Sequence, residues 1–264
     1  WSSDVCSSDL VAKVFQIMLL SLLGVAGMLR AEAPIESSAE TRFQLDLRVP
    51  DAAIASFLPA GWSMNIATSG GATDCNLRLI FVDRLTINAP DGKPVGRGSQ
   101  RYVYMELPVK DAKGDAARLV IGGITEAAAD SPGPYGNYLP ATAHTMERRD
   151  TGSGGTVIET QDWTFRAAGG VHVEFHIQFE RGVNARAPIA DTRFVSAKDP
   201  SIVLISRQEQ VLDITRNATT KPPDHVKEFC LKAGGGSWAK IFDGTEKMLS
   251  WDHILWINRT LLKP

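Results

Sequence analysis

Two histidines and a carboxylate occupy alternate positions in the segment VHVEFHIQFE: His172, Glu174 and His176. On a strand these three share one face with Gln178 and Glu180, while Val171, Val173, Phe175, Ile177 and Phe179 share the other. Imidazole and carboxylate are ligand types that suit iron or zinc. The spacing works against a single ion. Residues two apart on a strand lie ~6.6 Å apart and His172 to His176 spans ~13 Å, whereas zinc ligands sit at ~2.1 Å. One ion could take His172 with Glu174, or Glu174 with His176, and would need further ligands from other strands. The remaining histidines, His144, His225 and His253, have no diagnostic spacing. The simpler expectation is a solvated face on an amphipathic strand, with no metal or other cofactor.

A second group lies in DSPGPYGNYLPATAH, where Tyr135, Tyr138 and His144 could line the mouth of a pocket. Binding groups are often carried by loops held on a rigid scaffold, and Pro132-Gly133 suits a type II turn. A third group consists of charged residues within or beside apolar strands: Asp83-Arg84 after LRLIFV, Glu106 in YVYMELPV, and Arg207 with Glu209 in LISRQEQVL. If alternate side chains face a lumen, such a set could orient an acidic ligand. A structural ion pair or an exterior stripe is the competing reading. The chain lacks G-x-S-x-G, a P-loop and G-x-G-x-x-G, so the usual nucleophile-elbow and nucleotide-binding chemistries have no foothold.

Cys75 and Cys230 are the two cysteines of the expected domain. In an oxidising compartment they could form a disulfide worth ~4–5 kcal/mol on the chain-entropy model. Two free thiols are the alternative, and sequence does not choose between them.

Period-two alternation dominates the elements that must position these groups. It marks TRFQLDLRV, CNLRLIFVDRLTIN, RYVYMELPVK, ARLVIGGIT, TVIETQDWTFRA, GGVHVEFHIQFERG and SIVLISRQEQVLDITRN, and the chain closes on the aromatic-rich LSWDHILWINRTLL. PDAAIASFL predicts one short helix near the N-terminus. About nine strands with turns between them and no strand–helix–strand unit predict a mostly β fold, an antiparallel barrel-like cone or a sandwich.

Residues 1–10, WSSDVCSSDL, read as one frame of a common sequencing-library adapter and are set aside from fold reasoning, Cys6 with them. Lys13, the uncharged apolar run at 15–29 and the small-x-small pattern Ala31-Glu32-Ala33 predict a signal peptide over residues 11–33. The run has 15 residues, short of the ~20 that span a bilayer. Residues 34–264 are then a single β-rich domain, secreted or periplasmic, with PIESSAE as a flexible start. The formal charge of −2 offers no clustered basic surface for nucleic acid, and no second span of membrane length follows.

In order along the chain, several short segments resemble the acetoacetate decarboxylase superfamily. They are the helix leading into Leu58-Pro59-Ala60-Gly61, the strand ending in Val82-Asp83, residues 102–109 (YVYMELPV), the Gly/Pro/Tyr segment 133–140, Phe179-Glu180-Arg181-Gly182, and Ser206-Arg207-Gln208-Glu209-Gln210. The layout extends over residues 41–262. The resemblance implies a cone-like β fold around a ligand cavity. In that family a cavity lysine, within a Gly-aromatic-Pro-Lys stretch, forms a Schiff base with a β-keto acid. The matching stretch here, Pro134-Tyr135-Gly136-Asn137-Tyr138, has no lysine, and Lys110 and Lys113 lie on and beyond a strand end. The resemblance therefore implies the cavity without the decarboxylase chemistry. The expectation is an exported protein binding a small apolar or carboxylated molecule. The alternatives are a lyase-type enzyme acting on a keto acid or related carbonyl compound, and a structural or adhesion sandwich.

Overall fold

The computed structural model describes residues 32–217 and 225–264; the stretch 1–10 and nearly all of the expected export segment lie outside them. Twelve strands run β1 Ala33–Arg48, β2 Ser63–Met64, β3 Leu77–Asn88, β4 Gln100–Lys110, β5 Ala116–Thr125, β6 Tyr138–Ser153, β7 Thr156–Ala167, β8 His172–Glu180, β9 Ala185–Ser196, β10 Val203–Asn217, β11 Val226–Gly234 and β12 Lys247–Lys263. The one α-helix among the described residues, α1 (Asp51–Ile54), continues into a 3-10 turn and buries Ile54. Asn76 fastens the start of this helix: it accepts from the Val49 amide at 2.9 Å and donates to the Val49 carbonyl at 2.8 Å and Asp51 Oδ1 at 2.9 Å.

The hydrogen-bonded order is β11-β8-β7-β6-β5-β9-β10-β12-β1-β3-β4-β2, and β4 also pairs with β5. That extra pairing closes β5, β9, β10, β12, β1, β3 and β4 into a ring. All ring pairings are antiparallel except β5 with β9. The other branch, β6-β7-β8-β11, leaves β5 and forms a second layer against the outside of the ring.

Alternation divides the apolar residues between two cores. On one side Phe43, Leu45 and Leu47 of β1, Phe81 of β3 and Leu107 of β4 meet Trp163 and Phe165 of β7 and Phe175, Ile177 and Phe179 of β8. Ring centroids 4.7 Å apart for Phe81–Phe175 and 5.1 Å for Phe43–Phe175 tie the layers together. On the other side a smaller cluster fills the ring from within: Ile80 and Val82, Tyr102 and Tyr104, Val120, Phe194, Leu204 and Leu261, capped by Tyr135 and Tyr138. The fold thus joins the two architectures expected as alternatives, a barrel-like ring and a sandwich.

Two sequence expectations need correction, and one open alternative is decided. The segment PIESSAE is ordered strand, because β1 begins at Ala33 opposite Lys263 and its polar side chains find partners inside the ring. The described residues form twelve strands, not about nine. Among the missed strands, β6, β9 and β11 are mostly exposed along their length, so their sequences show little apolar alternation. Of the two alternatives left open for the cysteines, the disulfide is not formed. Cys75 is a buried free thiol beside β3 and Cys230 an exposed one on β11, at the edge of the outer layer.

Candidate functional site: a tyrosine and arginine chamber in the ring

The even-numbered residues of β1 from Glu36 to Asp46 are polar and line the inside of the ring. Ser38, Glu40, Arg42 and Asp46 are all buried there, among the least expected residues for an interior. Glu40 is fully buried and is the centre of a closed charge cluster. Its carboxylate accepts from Arg42 at 2.6 Å, Arg259 at 2.9 Å and the Ser38 hydroxyl at 2.6 Å, with Arg84 at 3.4 Å. Glu36 pairs with Arg259 at 2.6 Å and also with Arg84. Burial alone would raise the Glu40 carboxyl, but Arg259, Arg42, Arg84 and Ser38 outweigh it and hold the group well below the usual carboxylate range. Arg42 and Arg259 are likewise buried, and the charge of Glu40 offsets the penalty of desolvating them. Three guanidiniums face two carboxylates, so the cluster carries one positive charge in excess.

Against this cluster lie four phenols. Tyr102 and Tyr104 come from β4, two residues apart on the lumenal face; Tyr135 and Tyr138 come from the Gly/Pro segment. Their rings stand in contact, with centroids 5.7 Å apart for Tyr102–Tyr104, 5.8 Å for Tyr102–Tyr138 and 6.3 Å for Tyr135–Tyr138. Burial pushes all four hydroxyls above the ordinary tyrosine value, so each remains a neutral O–H donor. No hydrogen bond among the described residues engages any of them. The chamber, completed by Gln100, Pro134, Phe194 and Ser206, encloses a void of about 20 Å³, room for one water-sized group.

The tyrosine segment is held by its backbone. The Ser196 hydroxyl donates to the Tyr135 carbonyl at 2.6 Å, Asn137 to the Val120 carbonyl at 2.7 Å, and the Ser131 hydroxyl to the Tyr138 carbonyl at 2.9 Å. Two glycines make room for the Tyr138 ring. A Cβ on Gly123 would stand 2.7 Å from the Val103 carbonyl oxygen and 2.8 Å from that ring, and Gly133 adopts φ +73° with the ring 2.5 Å from its Cβ position.

The residues singled out in the sequence separate into those this geometry gathers and those it disperses. Tyr135 and Tyr138 enter the chamber and Arg84 joins them. Glu106 lies deeper in the ring, 3.7 Å from Arg78 and 3.5 Å from Arg118, with its second oxygen buried and without a hydrogen bond. His144 stands outside on β6, 3.1 Å from Glu126 and over the Phe165 ring. Arg207 and Glu209 do not face the lumen. On β10 the inward residues are Leu204 and Ser206, and the strand's two-residue period turns Arg207 out to a bidentate pair with Asp191 at 2.8 and 2.7 Å and leaves Glu209 with Arg186. Asp83, out of phase with Arg84, pairs with Arg101 at 3.2 Å.

His172, Glu174 and His176 share a face of β8, as expected, and each has its own partner. His172 Nδ1 meets the Gly170 carbonyl at 3.0 Å, Glu174 takes Arg166 at 2.5 Å, and His176 Nδ1 lies 2.6 Å from Asp162. A tighter group that sequence spacing could not reveal is Glu159, Asp213 and His253, from β7, β10 and β12, whose ligand-type atoms all fall within 4.8 Å of one another. Arg148 lies 2.8 Å from Glu159 and Arg181 lies 2.9 Å from Asp213, so cations already neutralise both carboxylates. Its donor set reads as a buried ion-pair network.

The signal that could have found Arg42 was present in TRFQLDLRV, whose polar alternate positions look like a solvated face, while Glu40 closes PIESSAE, whose polarity reads as a flexible start. Arg259, in the C-terminal strand, carried no such signal.

No family model and no curated protein matches the chain. Among solved structures, the enduracididine biosynthesis enzyme MppR, complexed with the condensation product of pyruvate and imidazole 4-carboxaldehyde, aligns with a TM-score of 0.51 at 15% identity, over 91% of this chain and 90% of that one. An acetoacetate decarboxylase-like enzyme from Sphingomonas wittichii RW1 aligns at 0.47 and 11% identity, over 87% of this chain and 90% of that one. A structure titled as a study of acetoacetate decarboxylase aligns at 0.44 and 10% identity, over 90% and 92% of the two chains. At these identities the likeness is one of fold. The chain shares the fold of MppR.

Proposed function

We propose that this protein binds a small carboxylate in the chamber, with the anionic head between the Arg42–Arg259 side and the free phenol donors. The observation that carries the reading is the unbalanced cluster: three buried guanidiniums, two carboxylates and four tyrosine hydroxyls without protein acceptors. A buried excess charge is costly unless an opposite charge meets it, and a carboxylate accepts several donors at once. The void of about 20 Å³ accommodates the head group only. A ligand body requires the segment around Pro134 and Tyr135 to give way. No lysine lines the chamber, so the reading is of binding and does not include Schiff-base chemistry. Export through residues 11–33 belongs to the same reading, supported by the apolar run and its small-x-small terminus, and cell fractionation tests it.

Calorimetric titration with pyruvate and its neutral amide tests the binding. Pyruvate gives a saturable heat and the amide none. Replacing Tyr135 and Tyr138 together by Phe weakens pyruvate tenfold or more, since a hydrogen bond to a charged group is worth roughly 1.5–3 kcal/mol. Equal behaviour of acid and amide, or wild-type affinity in the double variant, refutes the chamber as the site.

A further inference from the structure

A second concavity of about 400 Å³ opens at the other end of the ring. Its size falls in the range of small-molecule sites. Three arginines from three strands line it: Arg78 of β3, Arg118 of β5 and Arg193 of β9. Ile66, Pro108 and Ala117 supply apolar wall. None of these residues borders the chamber. Along β4 the lumenal positions run from Tyr102 and Tyr104 in the chamber, through Glu106, to Pro108 in the cleft.

Two of the three guanidiniums are engaged. Arg78 donates to Asp46 at 2.7 Å, and Arg193 donates to Asp111 at 2.9 Å while stacking 5.4 Å over the Trp62 ring. Arg118 differs. It makes no hydrogen bond among the described residues, and its one ion-pair partner, Glu106, stands 3.5 Å away. Burial depresses its basicity, and the pull of Glu106 does not fully restore it. Behind it, the second Glu106 oxygen is buried and unpartnered. The Glu106 oxygen is left unsatisfied in an interior, a costly arrangement, while the Arg118 guanidinium, a quarter exposed, presents its donors to the cleft. An anion entering the cleft meets three arginines; Glu106 is not part of the wall, and the one carboxylate that is, Asp191, is already held bidentately by Arg207. The planar fork of an arginine matches a carboxylate bidentately.

We infer that this cleft is a second ligand site, in which Arg118 takes the carboxylate of a small molecule whose short apolar body lies against Ile66, Pro108 and Ala117. The site is independent of the chamber.

Calorimetry on the full chain with succinate, and with succinamide as the uncharged counterpart, tests it. Succinate binds saturably and succinamide does not. Arg118→Gln weakens succinate at least tenfold, and Arg118→Lys, which keeps the charge facing Glu106 and loses the fork, weakens it several-fold. Saturable succinate binding that depends on Arg118 persists in the Tyr135→Phe/Tyr138→Phe variant. Thermal unfolding of each variant accompanies the titrations; if Arg118→Gln does not fold, the Lys variant decides alone. Absence of saturable succinate binding, equal binding of succinamide, or unchanged affinity in the folded Arg118 variant overturns the inference. A loss that follows the tyrosines instead assigns the anion to the chamber and overturns it equally.

Discussion

Replacing Glu40 by Gln probes the charge cluster directly. The substitution keeps the shape and removes the carboxylate on which Arg42, Arg259 and Arg84 converge. Glu36 alone then faces three buried guanidiniums. Breaking a buried pair from one side costs roughly 3–5 kcal/mol, and for a domain of this length that lowers Tm by roughly 6–20 °C at about 2–4 °C per kcal/mol. The pH dependence adds a second, independent signature. The folded-state pKa of Glu40 is depressed, so its contribution is fully present above the unfolded value of 4.5 and is lost as pH falls towards the folded value. Linkage at ~1.4 kcal/mol per pH unit makes the wild-type advantage about 2 kcal/mol smaller at pH 3 than at pH 7. Urea denaturation of both proteins at the two pH values measures the gap. A difference below about 1 kcal/mol at neutral pH would refute the assignment of Glu40 as the buried anchor. So would a gap that stays constant with pH.

Phe175→Ala removes a ring that touches Phe43, Phe81 and Phe229 between the two layers, and should cost about 3–5 kcal/mol in chemical denaturation. Thiol labelling followed by peptide mass spectrometry should find Cys230 modified in the native protein. Cys75, whose thiol burial pushes up to about 11, should react only after unfolding. The His176 imidazole, held by its hydrogen bond to Asp162, should titrate above its ordinary value in an NMR pH series and fall back in Asp162→Asn. Because that pKa is raised, the small stabilisation it reports is full at low pH and lost as pH rises through the folded value.

Residue patterns alone carry much of the scaffold. The alternation in VHVEFHIQFE sets β8 with its aromatic face inward, and PDAAIASFL forms its helical turn. Strands with little apolar content escape such a reading. β6 pairs with β7 from Ala141 to Ser153, yet only Tyr138 is buried in the strand, so its hydrogen bonds rather than its side chains define it. The tyrosine segment stood out because prolines, glycines and two phenols are rarely combined in a plain linker.

Local periodicity determines which residues share a face, and so it decided that Phe43, Leu45 and Leu47 would lie opposite Glu40, Arg42 and Asp46. It does not determine whether the polar face meets water. That was settled by ring closure through β4 and β5, which encloses the polar side of β1, and by the pairing of β1 with β12, which sets Arg259, 217 positions beyond Arg42, on the same carboxylate. Closure is a long-range pairing with no trace in any short window of sequence. The same event that made a lumen turned an ordinary amphipathic strand into the wall of a charged chamber.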